Sequence, residues 1–339
     1  MLMAVGMFLL SAVVILIAGT KLSHYGDRIA EHSGLGRLWI GVVLMAAATS
    51  LPEVFTAVSA VLIDAPNMAV GDLFGAGLSN MLTLALIDVA YRQKRVWQQA
   101  ALEQALIASL AVTLTGLAGL LIVVRQPLPF WNVGLGTFAI ALIYVLGMRV
   151  VLRQEDMRRR EQQLARVVEA EEAGSNRPVV AGALKRAVTG FALASVGILV
   201  AAPLLAESAK EIAEATGVST TFIGTSLVAI TTSLPELVTT FAAVRLGAFD
   251  LAVGNLFGSN AFNMAVLFLA DIAYRKGPLL AAVEATHVVT AFVSMLLMSV
   301  GLMGIIYRAE KRFVLIEPDS VLMIVGYLLG MWLLFRIGG

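Results

Sequence analysis

Thr49-Ser50-Leu51-Pro52-Glu53 and Thr232-Ser233-Leu234-Pro235-Glu236 are the same pentapeptide, each set in a long apolar stretch. A second block follows each copy: Gly71-Asp72-Leu73-Phe74-Gly75 through Asn80, then Gly254-Asn255-Leu256-Phe257-Gly258 through Asn263. The offset is constant, with 235 − 52 = 183, 254 − 71 = 183 and 263 − 80 = 183. Aligned without a gap, 49–92 and 232–275 share 23 identities in 44 positions, which makes them a duplication rather than a coincidence. A charged side chain in a bilayer costs ~2.5–3.5 kcal/mol on insertion scales, so a glutamate placed there twice marks a functional site.

The surrounding composition is that of a membrane protein. Of 339 residues, 59% are hydrophobic and 14% charged, against about 25% charged in a soluble domain. Apolar runs of this length read as membrane-spanning helices. The net charge of +1 and the scatter of Lys and Arg along loops give no nucleic-acid footprint. With no cysteine in the chain, disulfides, zinc–thiolate sites and thiol nucleophiles are excluded. His24, His32 and His287 are too dispersed to suggest a local site, the first two reading as solvated loop residues and the third as a hydrogen-bonded core residue. The first apolar run, Met3 to Gly19, has no basic residue before it and reads as a retained helix rather than a signal peptide.

The expected fold is an all-α membrane protein of ten transmembrane helices in two inverted-topology five-helix repeats. The spans fall at roughly 2–20, 38–62, 67–90, 99–122, 129–151, 181–203, 219–245, 249–272, 279–304 and 319–337. Residues 1–152 form the first half, with its repeat near 38–92, and 181–339 the second, with its repeat near 219–275. Between them 153–180 is a charged cytoplasmic loop, starting as a helical extension that ends near Gly174. With the N-terminus outside, 19 of the 24 Lys and Arg fall on inner loops, which orients both termini outward. Five spans separate the two repeats, so the second enters the membrane upside down, as in secondary transporters.

Proline removes a helix hydrogen bond and clashes with the carbonyl four residues earlier. Pro52 and Pro235 therefore loosen carbonyls at Ala48 and Thr49, and at Thr231 and Thr232. Such groups are tolerated at membrane depth only where they line a cavity, and there they become oxygen ligands. Helical spacing brings Thr49, Ser50, Glu53 and Thr56 to one face, and Thr232, Ser233, Glu236 and Thr239 repeat it. Carboxylates, carbonyls, hydroxyls and amides without sulfur or imidazole suit a hard cation, and Asn80 and Asn263 offer amide oxygens from the next helix. Gly71, Gly75, Gly254 and Gly258 read as helix-packing positions. Asp88 with Arg92, and Asp271 with Arg275, read as surface ion pairs near a membrane edge. Arg158-Arg159-Arg160 reads as a topology signal.

These residues resemble the cation/Ca²⁺ antiporter superfamily, especially its sodium/calcium exchanger family. The resemblance rests on Ala48 through Glu53 with Gly71 through Gly75, and on Thr231 through Glu236 with Gly254 through Asn260. It implies that Glu53 and Glu236 coordinate Ca²⁺, with carbonyls at Thr49 and Thr232 completing the site. By the same resemblance Ser50, Ser233, Ser259, Asn80 and Asn263 line flanking Na⁺ sites, and spans one and six slide across the rest. Three departures stand out: Ala76-Gly77 where the family has Ser-Asn, Asn263 where some members have aspartate, and Ala48 and Thr231 where it has glycine.

The implied function is exchange of Ca²⁺ for Na⁺ by alternating access at a midplane two-glutamate site, with no catalysis and no cofactor. The partners are small inorganic cations and the lipid bilayer of a cell membrane, with neither nucleic acid nor an obligatory protein partner. A Ca²⁺/H⁺ exchanger of the same fold, or another divalent cargo such as Mg²⁺ or Mn²⁺, stays open. An intramembrane hydrolase lacks its paired aspartates or Ser/His pair, and a passive channel would show no trans-stimulation.

Overall fold

The computed structural model describes residues 2–32, 46–91, 102–125, 129–130, 133–167, 181–245, 249–307 and 318–338. The apolar runs form helices because a chain in lipid must satisfy its backbone internally. In order these are α1 (Leu2–His32), α2 (Ala46–Thr49), α3 (Leu51–Leu62), α4 (Pro66–Ala90), α5 (Leu102–Val124), α6 (Leu135–Val167) and α7 (Ala181–Thr216). They continue as α8 (Thr220–Ile223), a π-helical turn (Gly224–Val228), α9 (Ala229–Thr232), α10 (Leu234–Arg245), α11 (Phe249–Ala273), α12 (Leu279–Ala282), α13 (Thr286–Tyr307) and α14 (Pro318–Gly338).

Nine helical stretches among the described residues are long and apolar enough to cross a membrane. The expected second span, 38–62, lies partly outside the described residues, and its described part is α2 and α3. Burial separates centre from periphery. The apolar window of α4 is 78% buried and that of α11 is 67% buried, against 22% for Leu135–Gln154 of α6. The two central helices carry the repeated glycine blocks, and the broken segments α2–α3 and α8–α10 pack on them. Outside this core α1 lies along α7 in the most extensive helix pair, and α5, α6, α13 and α14 close the far side. Outward apolar side chains such as Leu9, Leu10, Ile17, Leu193, Val200, Leu328 and Trp332 form the surface expected against lipid.

α4 crosses the π-helical turn so closely that two glycines are obligatory. A Cβ on Gly75 would lie 2.4 Å from the Thr225 carbonyl oxygen, and one on Gly224 would lie 2.5 Å from that of Met68. Both obstacles are backbone and cannot swing aside. Packing is thus the observed role of Gly75, as small residues at the expected spacing predict.

Several boundaries differ from expectation. α1 continues to His32, so His24 is an exposed residue on a helix rather than in a loop, and His32 ends that helix. α7 runs through Pro203 to Thr216 instead of stopping near 203. The segment read as the start of a helix at 129 is a two-stranded ribbon, Pro129–Phe130 against Val133–Gly134. The span expected from 279 begins at Thr286, after the short α12. Amphiphilic helix extensions and capped loops are nearly invisible to hydropathy, which registers only the lipid-embedded part. α6 carries the charged sequence after 152 as a continuous helix to Val167, and 168–180 lie outside the described residues.

Asp88 and Asp271 are not surface residues. Both are buried, and they occupy equivalent positions of the repeat, 271 − 88 = 183. Asp88 accepts from the Ser320 hydroxyl at 2.7 Å. Asp271 accepts from the backbone N–H of Gly134 at 2.8 Å and of Leu279 at 2.7 Å, and from the Thr137 hydroxyl. It ties the ribbon and α12 to the end of α11. Arg92 lies outside the described residues.

Candidate cation site

Each broken helix is interrupted at a serine. Ser50 sits at φ −86° and ψ 8°, and Ser233 at φ −84° and ψ 4°, the same sparsely populated bridge conformation. In both copies the helix then restarts, with proline in its first turn, where the missing N–H costs nothing. Glu53 and Glu236 fall in those first turns, where the partial positive charge of a helix N-terminus favours an anion. The break thus does two jobs: it frees carbonyls and it aims a carboxylate at them.

The two breaks face each other across the centre, and their contacts cross. Ser50 donates to Glu236 Oε1 at 3.1 Å, while Ser233 donates to Glu53 Oε1 at 3.3 Å. Each half therefore supplies the hydroxyl for the other half's acid. Ser259 adds a second donor to Glu236 Oε1 at 3.4 Å. Both glutamates are 0% exposed, and Glu53 Oε2 and Glu236 Oε2 have no hydrogen-bond partner among the described residues. The described side-chain donors are neutral hydroxyls, which orient the carboxyls without bringing a positive charge to them.

The remaining expected residues divide into two groups. Thr232 sits at the centre but donates to Asp72 Oδ1 at 2.9 Å rather than to a glutamate. Thr49 is equally buried and donates to the Ala46 carbonyl within its own turn. Asn80 bonds across the halves to Asn260 Oδ1 at 2.8 Å, leaving its own Oδ1 without a partner. Asn263 is 0% exposed, and neither of its amide atoms has a partner among the described residues. His287 is buried with Nε2 3.3 Å from Asn67 Oδ1, the core role expected of it.

Asp72 is the residue that sequence reasoning passed over. It is 0% exposed, its Oδ2 has no partner among the described residues, and it lies close enough to both glutamates to interact electrostatically. The available signal was asymmetry: an acid at 72 where the second copy has Asn255. Asn255 instead donates to the Thr239 and Thr240 hydroxyls at 3.3 and 3.4 Å. Gln104 was also missed. It is fully buried against Gly254, and neither amide atom has a partner among the described residues.

Among the described residues no three His, Cys, Asp or Glu form a cluster that could hold a metal ion by themselves. The donor set is mixed: two or three carboxylates with hydroxyl, amide and carbonyl oxygens, which is the chemistry of a hard cation. A family profile described as sodium/calcium exchanger protein matches residues 3–150 and 186–336, nearly the whole chain. This chain belongs to the sodium/calcium exchanger family. It is accordingly a multi-pass membrane antiporter, and the family's members are secondary transporters rather than enzymes.

This exchanger is 28% identical over 264 residues to an uncharacterized membrane protein, MJ0091, of Methanocaldococcus jannaschii, covering 77% of this chain and 78% of that one. It is 38% identical over 94 residues to the sodium/calcium exchanger MaX1 of Methanosarcina acetivorans, 27% of either chain. Its fold resembles that of the sodium-calcium exchanger NCX_Mj soaked with Na⁺ and Sr²⁺, with a TM-score of 0.62 at 21% identity over 98% of both chains.

Proposed function

We propose that the chain exchanges Ca²⁺ for Na⁺ by alternating access at a midplane site built on Glu53 and Glu236. The observation that carries this reading is the crossed pair of serine contacts around two buried carboxylates, each with one oxygen that has no hydrogen-bond partner among the described residues. An unneutralised pair of buried acids costs several kcal/mol per ion, so the site calls for about two positive charges. One Ca²⁺ supplies them, and so do two Na⁺, which makes the cargoes mutually exclusive. Ca²⁺ takes at least six oxygens; the two carboxylates offer four and the carbonyls of Thr49 and Thr232 two more. Ser50, Ser233, Ser259, Asn80 and Asn263 line the adjoining Na⁺ positions.

In this reading ten spans form two inverted five-helix repeats, 1–152 and 181–339, with 153–180 cytoplasmic and both termini outside. α1 and α7, which pack along each other and contact the broken helices, slide across the core to expose the site to one face at a time. Ala76 and Gly77 remove a hydroxyl and an amide from the first copy. That observation favours a second reading, in which a proton replaces Na⁺ as the counter-ion.

Radiolabelled Ca²⁺ uptake into proteoliposomes decides between them. A Na⁺ gradient at clamped pH drives uptake if Na⁺ is the counter-ion, and a pH gradient without Na⁺ drives it if the proton is. Uptake that follows neither gradient and shows no trans-stimulation would refute exchange altogether.

A further inference from the structure

The duplication extends past the motif blocks into the helices that follow them, α5 and α13. Ile107, Ala111 and Leu114 are buried on α5, and Thr290, Ser294 and Leu297 are buried on α13, with 290 − 107 = 183, 294 − 111 = 183 and 297 − 114 = 183. The offset is that of the motif blocks, so the two helices turn equivalent faces inward. α5 packs on α11, and α13 packs on α4. Polarity is exchanged between these pairs. Where α11 has Ser259 and Asn260, α4 has Ala76 and Gly77; where α5 has Ile107 and Ala111, α13 has Thr290 and Ser294. The polar groups absent from α4 are thus matched by hydroxyls on the helix beside it.

The exchange is one of space as well as of sequence. A Cβ on Gly77 would lie 2.6 Å from the Ser294 hydroxyl oxygen, too close to coexist with it, and 4.0 Å from the side-chain amide carbon of Asn260. The Ser294 oxygen therefore fills the room that a side chain at 77 would take, next to the Asn260 carboxamide. Asn260 Oδ1 accepts from Asn80 at 2.8 Å, while Asn260 Nδ2 and Asn80 Oδ1 have no partner among the described residues. Buried amide atoms are costly when unmatched, so this corner of the centre calls for more polar groups than α4 and α11 provide. We propose that Ser294 stands in for the side chain absent at Gly77, making α13 the source of a hydroxyl oxygen ligand beside the Asn80–Asn260 pair. The inference rests on the reading that Asn80 lines a Na⁺ position, and adds to that position a residue from outside both motif blocks.

The test titrates Na⁺ and Ca²⁺ separately into the purified full chain in detergent, with choline holding ionic strength constant, and follows the thermal transition, which rises as an ion binds the folded state. Ser294→Ala should raise the half-saturating Na⁺ concentration several-fold more than that of Ca²⁺. Ser294→Cys, which keeps the shape but offers soft sulfur to a hard cation, should shift Na⁺ in the same direction. Joining Ser294→Ala to Gly77→Asn rebuilds in the first copy the combination of Asn260 with Ala111. With the hydroxyl gone, the atoms nearest the new Cβ are the residue-294 Cβ at 3.9 Å and the Asn260 carbon at 4.0 Å, both ordinary contacts, and the Na⁺ response should recover. Unmoved Na⁺ curves in both single variants would overturn the proposal. So would equal shifts for Na⁺ and Ca²⁺, the mark of a merely structural role, or a double variant no better than Ser294→Ala. An unaltered chain that Ca²⁺ stabilises and Na⁺ does not would remove the Na⁺ positions themselves, and Ser294 as a ligand with them.

Discussion

The two copies of the repeat agree at the helix break and disagree one helix later. At the break they are interchangeable: Ser50 serves Glu236, Ser233 serves Glu53, and the two serines share a backbone conformation to within a few degrees. In the following helix, Asp72 stands opposite Asn255 in the alignment, and Gly77 opposite Asn260. Asp72 turns to Thr232 across the halves while Asn255 turns to threonines of its own half. Asn260 reaches Asn80, but Gly77 has no side chain with which to reach Asn263. A duplicated pair thus keeps in common the crossed contacts that join the two copies, and diverges in the helix that follows.

That comparison is most easily broken at its shared centre. Glu53→Gln and Glu236→Gln should each reduce Ca²⁺ uptake in proteoliposomes to the protein-free background while the purified protein stays monodisperse. Full flux in both variants would remove the site. Next in size is Gly75→Ala, which drives a Cβ into the Thr225 backbone and should lower the thermal transition in detergent by overpacking of about 1–3 kcal/mol. Gly197→Ala meets only an ordinary contact, the Ala18 Cβ at 3.4 Å, and should leave the transition nearly unmoved.

Much of this was legible in the sequence, and the reasons differ by element. The duplication, the two prolines and the two glutamates are local signals, and the helix breaks follow from proline chemistry at Pro52 and Pro235. The crossed pairing of Ser50 and Ser233 was not legible, because it depends on how two segments 183 residues apart in the alignment face each other. Asp72 was passed over because it sits inside a block read as helix packing, and only its buried, half-satisfied carboxyl gives it away. Asp88 and Asp271 misled for the opposite reason. An arginine four residues on is a helix-surface pattern, but both aspartates are turned inward to cap neighbouring elements.

Those two aspartates sharpen the comparison at a third level. Asp271→Asn weakens a carboxyl that holds two backbone N–H groups and a hydroxyl, and should destabilise by about 1–3 kcal/mol. Asp88→Asn weakens the carboxyl that accepts from the Ser320 hydroxyl and should also destabilise by about 0.5–3 kcal/mol; no loss by denaturant titration in either variant would contradict the assigned roles. Smaller again is the difference between Ser233→Ala and Ser50→Ala. Glu53 has Ser233 as its side-chain donor, whereas Glu236 keeps Ser259 when Ser50 is lost. At about 0.5–1.5 kcal/mol per net hydrogen bond, Ser233→Ala should raise the Ca²⁺ concentration for half-maximal uptake several-fold more than Ser50→Ala.

The smallest effect lies at the rim, between Asp64 and Lys276, whose charged atoms are 2.7 Å apart with more than half of each side chain exposed. The Lys276 ammonium holds the Asp64 carboxyl below its usual range, and the carboxylate in turn raises the lysine. A carboxyl lowered on folding contributes its stability above the unfolded value and loses it as pH falls through the lowered one. Stability should therefore slip slightly on acidification, and Lys276→Ala should erase that slope with little other change. Exposed pairs of this kind are weak and screened by salt, so the slope should also flatten at high ionic strength.

The crossed serine contacts also bear on how the molecule is made. Glu53 and its donor Ser233 are 180 residues apart, so the acid leaves the ribosome long before its hydroxyl exists. At ~5–20 residues per second of synthesis, the nascent first half waits on the order of ten seconds or more with that carboxyl unaccompanied. Whatever inserts this protein must shelter a half-built polar seam from the lipid until the later helices arrive, and a release of the earlier helices before then would leave it stranded.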